Sequence, residues 1–277
     1  MKYNIIVSIL VVLFLTACNP DFNTNQKDVK HQSSKKRLKS NQKRLKSNQK
    51  GLKSKTEVTQ NQEANKNQEV DQNQRTKNTL LNDLRNLIEK VNKDRTKYVK
   101  RLEEESSEQY KILAFKELSW KDTKETAADN SEKAKIYRQR TYTVLNDMNA
   151  DELKKFSEII MLSKQTEGLF NTFNSFGATI EDTFVFLLYP NKKDNLEKLE
   201  ISDLDRLKNS IEKFLSIRTM ISKMLAQLLL DYKNNNNSIQ TDNSKLNSYL
   251  ATISNQIKEQ NEEAIKLKND IFSIENF

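Results

Sequence analysis

Two patterns divide this chain. From Thr79 onward, apolar residues recur at spacings of three and four, which is the signature of amphipathic helices. Leu80, Leu84, Leu87, Ile88, Val91, Tyr98 and Leu102 form one stripe and predict a first helix ending near Glu105. Ser106-Ser107 loosen it. Tyr110, Ile112, Leu113, Phe115, Leu118 and Trp120 then form an apolar patch, and Lys121 to Asn130 read as a polar loop. A second helix is expected from about Ser131, carrying Ala134, Tyr137, Thr141, Val144, Leu145 and Met148. Asn149, three residues before Glu152, predicts an N-cap with a capping-box partner for a third helix through Leu153, Phe156, Ile159 and Ile160. Leu169 to Tyr189 is apolar on most sides, with Glu181 and Asp182 as its only charges. Such a helix is a core element or a membrane span. Asn171, Thr172, Asn174, Ser175 and Thr179 would be costly in lipid and favour the core, with Pro190 as the stop. Ser202 is expected to cap a long helix with Leu204, Leu207, Ile211, Phe214, Leu215, Arg218, Ile221, Leu225, Leu228 and Leu229 on its stripe. Asn234 to Asn237 break that helix. The last helix, from about Ser244, has the stripe Leu246, Leu250, Ile253, Ile257, Gln260, Ala264, Leu267, Ile271 and Ile274. This stripe is close to a heptad. Ile257, Ala264, Leu267, Ile271 and Ile274 are therefore a candidate homodimer seam, although packing within the domain is the commoner use of such a stripe.

Between Asn19 and Asn78 large apolar residues almost vanish, and Asn, Gln, Lys and Ser dominate. A segment of this kind cannot bury enough apolar surface to offset the ~1–2 kcal/mol per residue of backbone ordering. It includes a seven-residue repeat, Arg37 to Lys43 and Arg44 to Lys50, decaying at Gly51 to Lys55. One leucine per heptad is too little for a coiled-coil seam, so the repeat reads as low complexity. The expected fold is all-α: one helical bundle domain of about five to seven helices at 79–277, preceded by a disordered tether at 18–78. As a flexible coil, the tether would separate its ends by about 40 Å.

Composition sharpens this division. The 277 residues include only three glycines and two prolines, so sheets and tight hairpins lack their turn residues. The net charge of +9 is unevenly placed. Residues 1–78 carry 16 Lys/Arg against 6 Asp/Glu, which leaves the helical part near neutral. Twelve basic residues between Lys27 and Lys55 could engage anionic lipid headgroups, sulfated glycans or nucleic acid. The simpler reading is a solvated spacer extended by its own repulsion. No aromatic residues interleave the basic run, which argues against single-stranded nucleic acid.

Upstream of the tether, Lys2 precedes an apolar run from Ile5 to Leu15, then Thr16-Ala17 and Cys18, the chain's one cysteine. The run is 11 residues, well short of the ~20 that span a bilayer. Small residues leading into a cysteine are the pattern of a bacterial lipoprotein signal. Residues 1–17 are thus expected to be removed and Cys18 to carry a covalent lipid, rather than the leader being a plain export signal. A diacylglycerol plus an amide-linked chain would anchor the protein durably, since each buried methylene contributes roughly 0.8 kcal/mol.

The helical part offers little for catalysis. It has no histidine; His31 lies in the tether. No glycine-rich loop can cradle phosphate. Glu103-Glu104-Glu105 and Glu262-Glu263 sit among lysines and read as solvated helix surface. Phe170, Phe173, Phe176 and Phe184 read as core rather than a ligand cage. A non-enzymatic binding protein without cofactor or metal is expected.

Met1 to Ser8 and Leu15 to Asp28 resemble the leader of plasmid-encoded surface lipoprotein antigens of Lyme-disease spirochaetes (Borrelia). Arg140 to Leu145 and Asp151 to Ile160 resemble the second and third helices of their virulent-strain-associated lipoprotein family. That family includes the complement-regulator-acquiring surface protein, a factor H binder that dimerises through its C-terminal helix. The closing Phe272 to Phe277 departs from that member's ending. The resemblance implies an α-helical bundle lipid-anchored on the extracellular face of the outer membrane. It implies binding of a host serum protein, of the complement or plasminogen systems, for immune evasion or colonisation. The alternatives are a bundle that binds an apolar small ligand or lipid, and an immunogenic decoy antigen without a high-affinity ligand.

Overall fold

The computed structural model describes residues 57–277, with side chains from Asp71 onward. The leader, Cys18, His31 and the repeat lie outside the described residues. Among the described residues the chain forms eight α-helices: α1 (Glu57–Glu103), α2 (Ala114–Glu117), α3 (Glu132–Val144), α4 (Ala150–Met161), α5 (Thr166–Leu187), α6 (Pro190–Asn195), α7 (Ile201–Lys233) and α8 (Asn243–Phe272). The only extended pairing among these residues is an isolated antiparallel bridge between Ser119 and Thr126. The fold is an all-α bundle, as the periodicity requires. Its six long helices match the stripes, and α2 and α6 are short additions. No described helix is long and apolar enough to cross a membrane.

The segment Leu169 to Leu187 is the central core helix. Phe170, Phe173, Phe176, Ile180 and Phe184 of α5 are buried at 1% exposure or less. Each such side chain contributes roughly 1.5–3 kcal/mol through the apolar surface it removes from water. α5 crosses α3 at Gly177, where a Cβ would lie 2.1 Å from the Arg140 carbonyl oxygen. Glycine here lets two backbones meet. α8 lies alongside α5 in the same direction. The buried Thr172–Ser254 contact (3.0 Å), the Thr179–Asn261 contact (2.8 Å) and the Lys268–Asp182 ion pair (3.2 Å) succeed one another along both helices.

Local signals mostly hold. Ser131 caps α3, accepting from Ala134 N. Asn149 and Glu152 form the reciprocal capping box of α4. The four asparagines end α7, with Asn235 in a left-handed conformation. Three expectations shift. α1 is helical from Glu57, not Thr79; its upstream part is polar on all sides, so no apolar period marks it in the sequence. Local pairs such as Arg75–Asp71 (2.7 Å) and Gln74–Asn78 (3.2 Å) lie along it instead. α7 opens at Ile201 after Glu200, so Ser202 lies inside the helix and no side chain caps its start. Pro190 follows the end of α5 at Leu187, as expected, and also begins α6, where its missing N–H costs nothing. On α8 the buried residue is Asn261 rather than Gln260. Its amide is satisfied by Thr179 and Ser175, which makes its burial affordable.

Candidate interaction surface

Pairings fix which ends of the helices coincide. α1 and α7 run parallel, joined by Lys208–Asp83 (2.8 Å) and Arg218–Asp94 (3.0 Å). α8 runs antiparallel to α7, joined by Arg206 with Asp270 at one end and Tyr249–Asp231 (2.7 Å) at the other. α1 becomes buried at Leu80, at the end occupied by α6 and the last residues of α8. The opposite end holds the exit from α1, the loop before α3, most of α4 and the α7–α8 turn.

This far end carries a concentration of unusual backbone. Gln109, Tyr110 and Lys111 are consecutive left-handed residues with φ of 48°, 54° and 60°. Lys124, Asn235, Asn237 and Ser238 are left-handed too, all near the same end. A non-glycine residue in this region costs roughly 1–2 kcal/mol, so it persists where neighbours hold it. Tyr110 donates its hydroxyl to the Arg101 carbonyl (3.2 Å), and Gln109 donates to the Ala128 carbonyl (2.6 Å). Asn235 Oδ1 accepts from Gln240 N (3.0 Å).

A buried ion pair ties the strained turn to the loop beside it. Arg138 Nε lies 3.0 and 2.9 Å from the two carboxylate oxygens of Glu105, and Nη1 donates to the carbonyls of Ala127 and Asp129 at 2.8 Å each. Tyr142 donates to the same carboxylate. The Arg138 and Glu105 side chains are 3% and 8% exposed, so the reading of Glu105 as solvated surface is corrected. Arg138 follows Ala134 by one helical turn, on the buried face of α3. That position gave the only sequence hint of its burial. Desolvation, outweighing Arg138 and Tyr142, pushes the Glu105 carboxyl up from its usual range. Burial first and Glu105 second push the Tyr142 phenol far up.

Beside this clamp lies an open cleft of 270 Å³ lined by Glu108, Lys111, Leu113, Lys116, Lys154 and Glu158. Leu113 is 46% exposed, and Leu162, just past the end of α4, is 52% exposed. Lys111 faces Glu108 at 3.8 Å and Lys154 faces Glu158 at 4.0 Å, distances too loose to neutralise them firmly. Apolar residues ringed by half-engaged lysines suit a protein contact. Among the described residues no group of three or more His, Cys, Asp or Glu side chains could hold a metal ion.

The five candidate seam residues have another use. Ile257, Ala264 and Ile271 are fully buried, and Leu267 and Ile274 nearly so, inside the protomer's own core. α8 spends its apolar stripe on α5 and α7, so a second copy could reach these residues only if α8 left its bundle. Phe186 stacks on Phe272 with ring centroids 4.1 Å apart. Phe277 packs against Phe186, and Lys192 donates to the Phe277 main-chain oxygen. The departing C-terminal residues thus close one end of the α5–α8 groove.

Comparison with known proteins agrees with this architecture. Over 72% of this chain and 100% of the other, the fold is similar to BSE31 of the Lyme disease agent Borrelia (Borreliella) spielmanii, with 57% identity and a TM-score of 0.69. Two Borrelia burgdorferi proteins share the fold at lower identity. The outer surface lipoprotein BBA64 is 24% identical over 72% of this chain and 95% of its own (TM-score 0.55). The outer surface protein BBA66 is 18% identical over 70% and 99% (TM-score 0.52). No curated protein matches. None of these names is that of an enzyme. Residues 99–276, well over half of the sequence, match the family described as Borrelia Bbcrasp-1 domain containing protein, and the chain belongs to that family.

Proposed function

We propose that this chain is an outer-surface lipoprotein, anchored through an acylated Cys18, that binds a host serum protein at the end of the bundle that carries the strained turn and the Leu113 cleft. The observation that carries the reading is the polarity of the bundle. α1 joins the core at one end, at Leu80. The strained turn, the Leu113 cleft and the exposed Leu162 gather at the other. Membership in a family whose solved relatives include outer surface proteins supports the location. An exposed leucine among lysines supports contact with a partner that offers both apolar and acidic groups. Complement and plasminogen systems are the first places to look for that partner.

Two experiments test this. Protease treatment of intact cells should remove the protein, and Cys18→Ser should release it from the membrane fraction; a protein that survives shaving faces inward. Human serum passed over the full chain should yield a specific partner whose retention drops when Leu113→Glu and Lys116→Glu are combined. Retention unaffected by that pair would move the site elsewhere, and no retained protein would count against host binding.

A further inference from the structure

A second polar cluster lies between α1, α7 and the corner that joins α3 to α4. Asn146 is fully buried and donates its side-chain amide to the Asp94 carbonyl at 3.1 Å. Arg218, 8% exposed, sits 3.0 Å from Asp94 Oδ2 through Nη1 and 3.5 Å from Asp147 Oδ1 through Nη2. Asn146 and Asp147 are neighbours in sequence, so these four residues close a ring of contacts. Arg101 braces the same corner, donating to the carbonyls of Leu145 (3.0 Å) and Met148 (2.7 Å).

Three buried atoms of this ring have no hydrogen-bond partner among the described residues: Asp94 Oδ2, Asn146 Oδ1 and Arg218 Nε. Asp94 Oδ2 is within ion-pair distance of Arg218, but the guanidinium is not aligned to donate to it. Leaving such atoms unpaired costs roughly 1–3 kcal/mol each. Rotating the Asn146 amide does not help, because its oxygen would then face the Asp94 carbonyl, another acceptor.

We infer that this junction is a binding site for an ordered internal water, held by Arg218 Nε, Asn146 Oδ1 and Asp94 Oδ2. One donor and two acceptors are the complement of a water that accepts one hydrogen bond and donates two, and about three bonds is the usual number for a buried water. A cation would face the guanidinium and an anion would face two carboxylates, so the neutral ligand fits best. The water is a keystone: it joins α1 to α7 and to the corner from which α4 departs toward the far end of the bundle.

Nuclear magnetic resonance of the full chain tests the inference directly. Arg218 Nε–H should show a direct Overhauser contact to a long-lived water molecule, and its hydrogen exchange should be slow. Asn146→Leu, which removes one acceptor and fills space, should abolish that contact while helicity persists. Absence of the contact in the unaltered protein would overturn the inference whether or not the variant folds. Persistence of the contact in Asn146→Leu would overturn it as well. If Asn146→Leu does not fold, Asp94→Ala supplies the same comparison by removing the other acceptor.

Discussion

Arg138 and Arg218 are both buried, yet their surroundings differ. Arg138 is enclosed by a carboxylate whose two oxygens both accept from its Nε and by two carbonyls, and neither it nor Glu105 leaves a buried atom unpartnered among the described residues. Arg218 meets two carboxylates that keep part of their hydration, Asp94 at 20% and Asp147 at 47% exposure, and leaves its Nε free. The first is a closed clamp that fixes a loop against a strained turn. The second is an open junction that water can complete. A buried charge is therefore not one kind of feature: its cost depends on how many of its hydrogen-bonding directions the protein itself supplies.

The largest predicted effect is at the clamp. Arg138→Ala leaves Glu105 buried and unpaired, and chemical denaturation should show a loss of about 3–5 kcal/mol. The paired replacement Arg138→Met with Glu105→Leu should recover most of that loss, since neither charge is then stranded. Arg218→Ala should cost less, about 2 kcal/mol, because Asp94 and Asp147 can turn to solvent. Equal losses for the two alanine variants would erase the distinction between closed and open sites.

Acidity separates the sites in sign. Burial raises the Glu105 carboxyl above its usual 4.5, so its contribution to stability is fully present below that value and is lost as pH rises through the folded pKa. Asp147 is held below its usual 3.8 despite desolvation, by Ser222, Arg218 and Lys97. Its contribution is present above 3.8 and is lost as pH falls through the folded pKa. Denaturation midpoints followed from neutral to acid should lose a stabilising rise above 4.5 in Glu105→Gln. In Asp147→Asn they should lose part of the fall below 3.8. Smaller again, Asn149→Ala removes the cap of α4 just past the junction and should cost about 1 kcal/mol. Arg75→Ala, in the exposed part of α1, should change stability by less than about 0.5 kcal/mol and serves as the control.

The helices themselves were legible because burial and helical period coincide in one dimension. Leu80, Leu84, Ile88 and Val91 mark α1, and Leu246, Leu250, Ile253 and Ile257 mark α8, by spacing alone. The Asn149–Glu152 box and the four asparagines were legible because caps and breaks are local chemistry. The polar start of α1 was not, because a helix without an apolar face has no period to read. The far-end surface was legible only in fragments: Leu113 stood in an apolar patch, while its exposure and its lysine neighbours depend on how the chain turns back.

By itself, the sequence determined an all-helical body with a phenylalanine-rich central helix, and a single cysteine that follows a short apolar run. Tertiary structure alone decided which polar groups go inside. Glu105, Arg138 and Asn261 look like surface residues until partners from distant segments meet them. It also decided that the heptad of α8 is consumed within one protomer. The physical reason is the same in each case: an apolar residue declares its burial through its own transfer free energy, whereas a charge or amide is buried only where another part of the chain brings the hydrogen bonds that replace water.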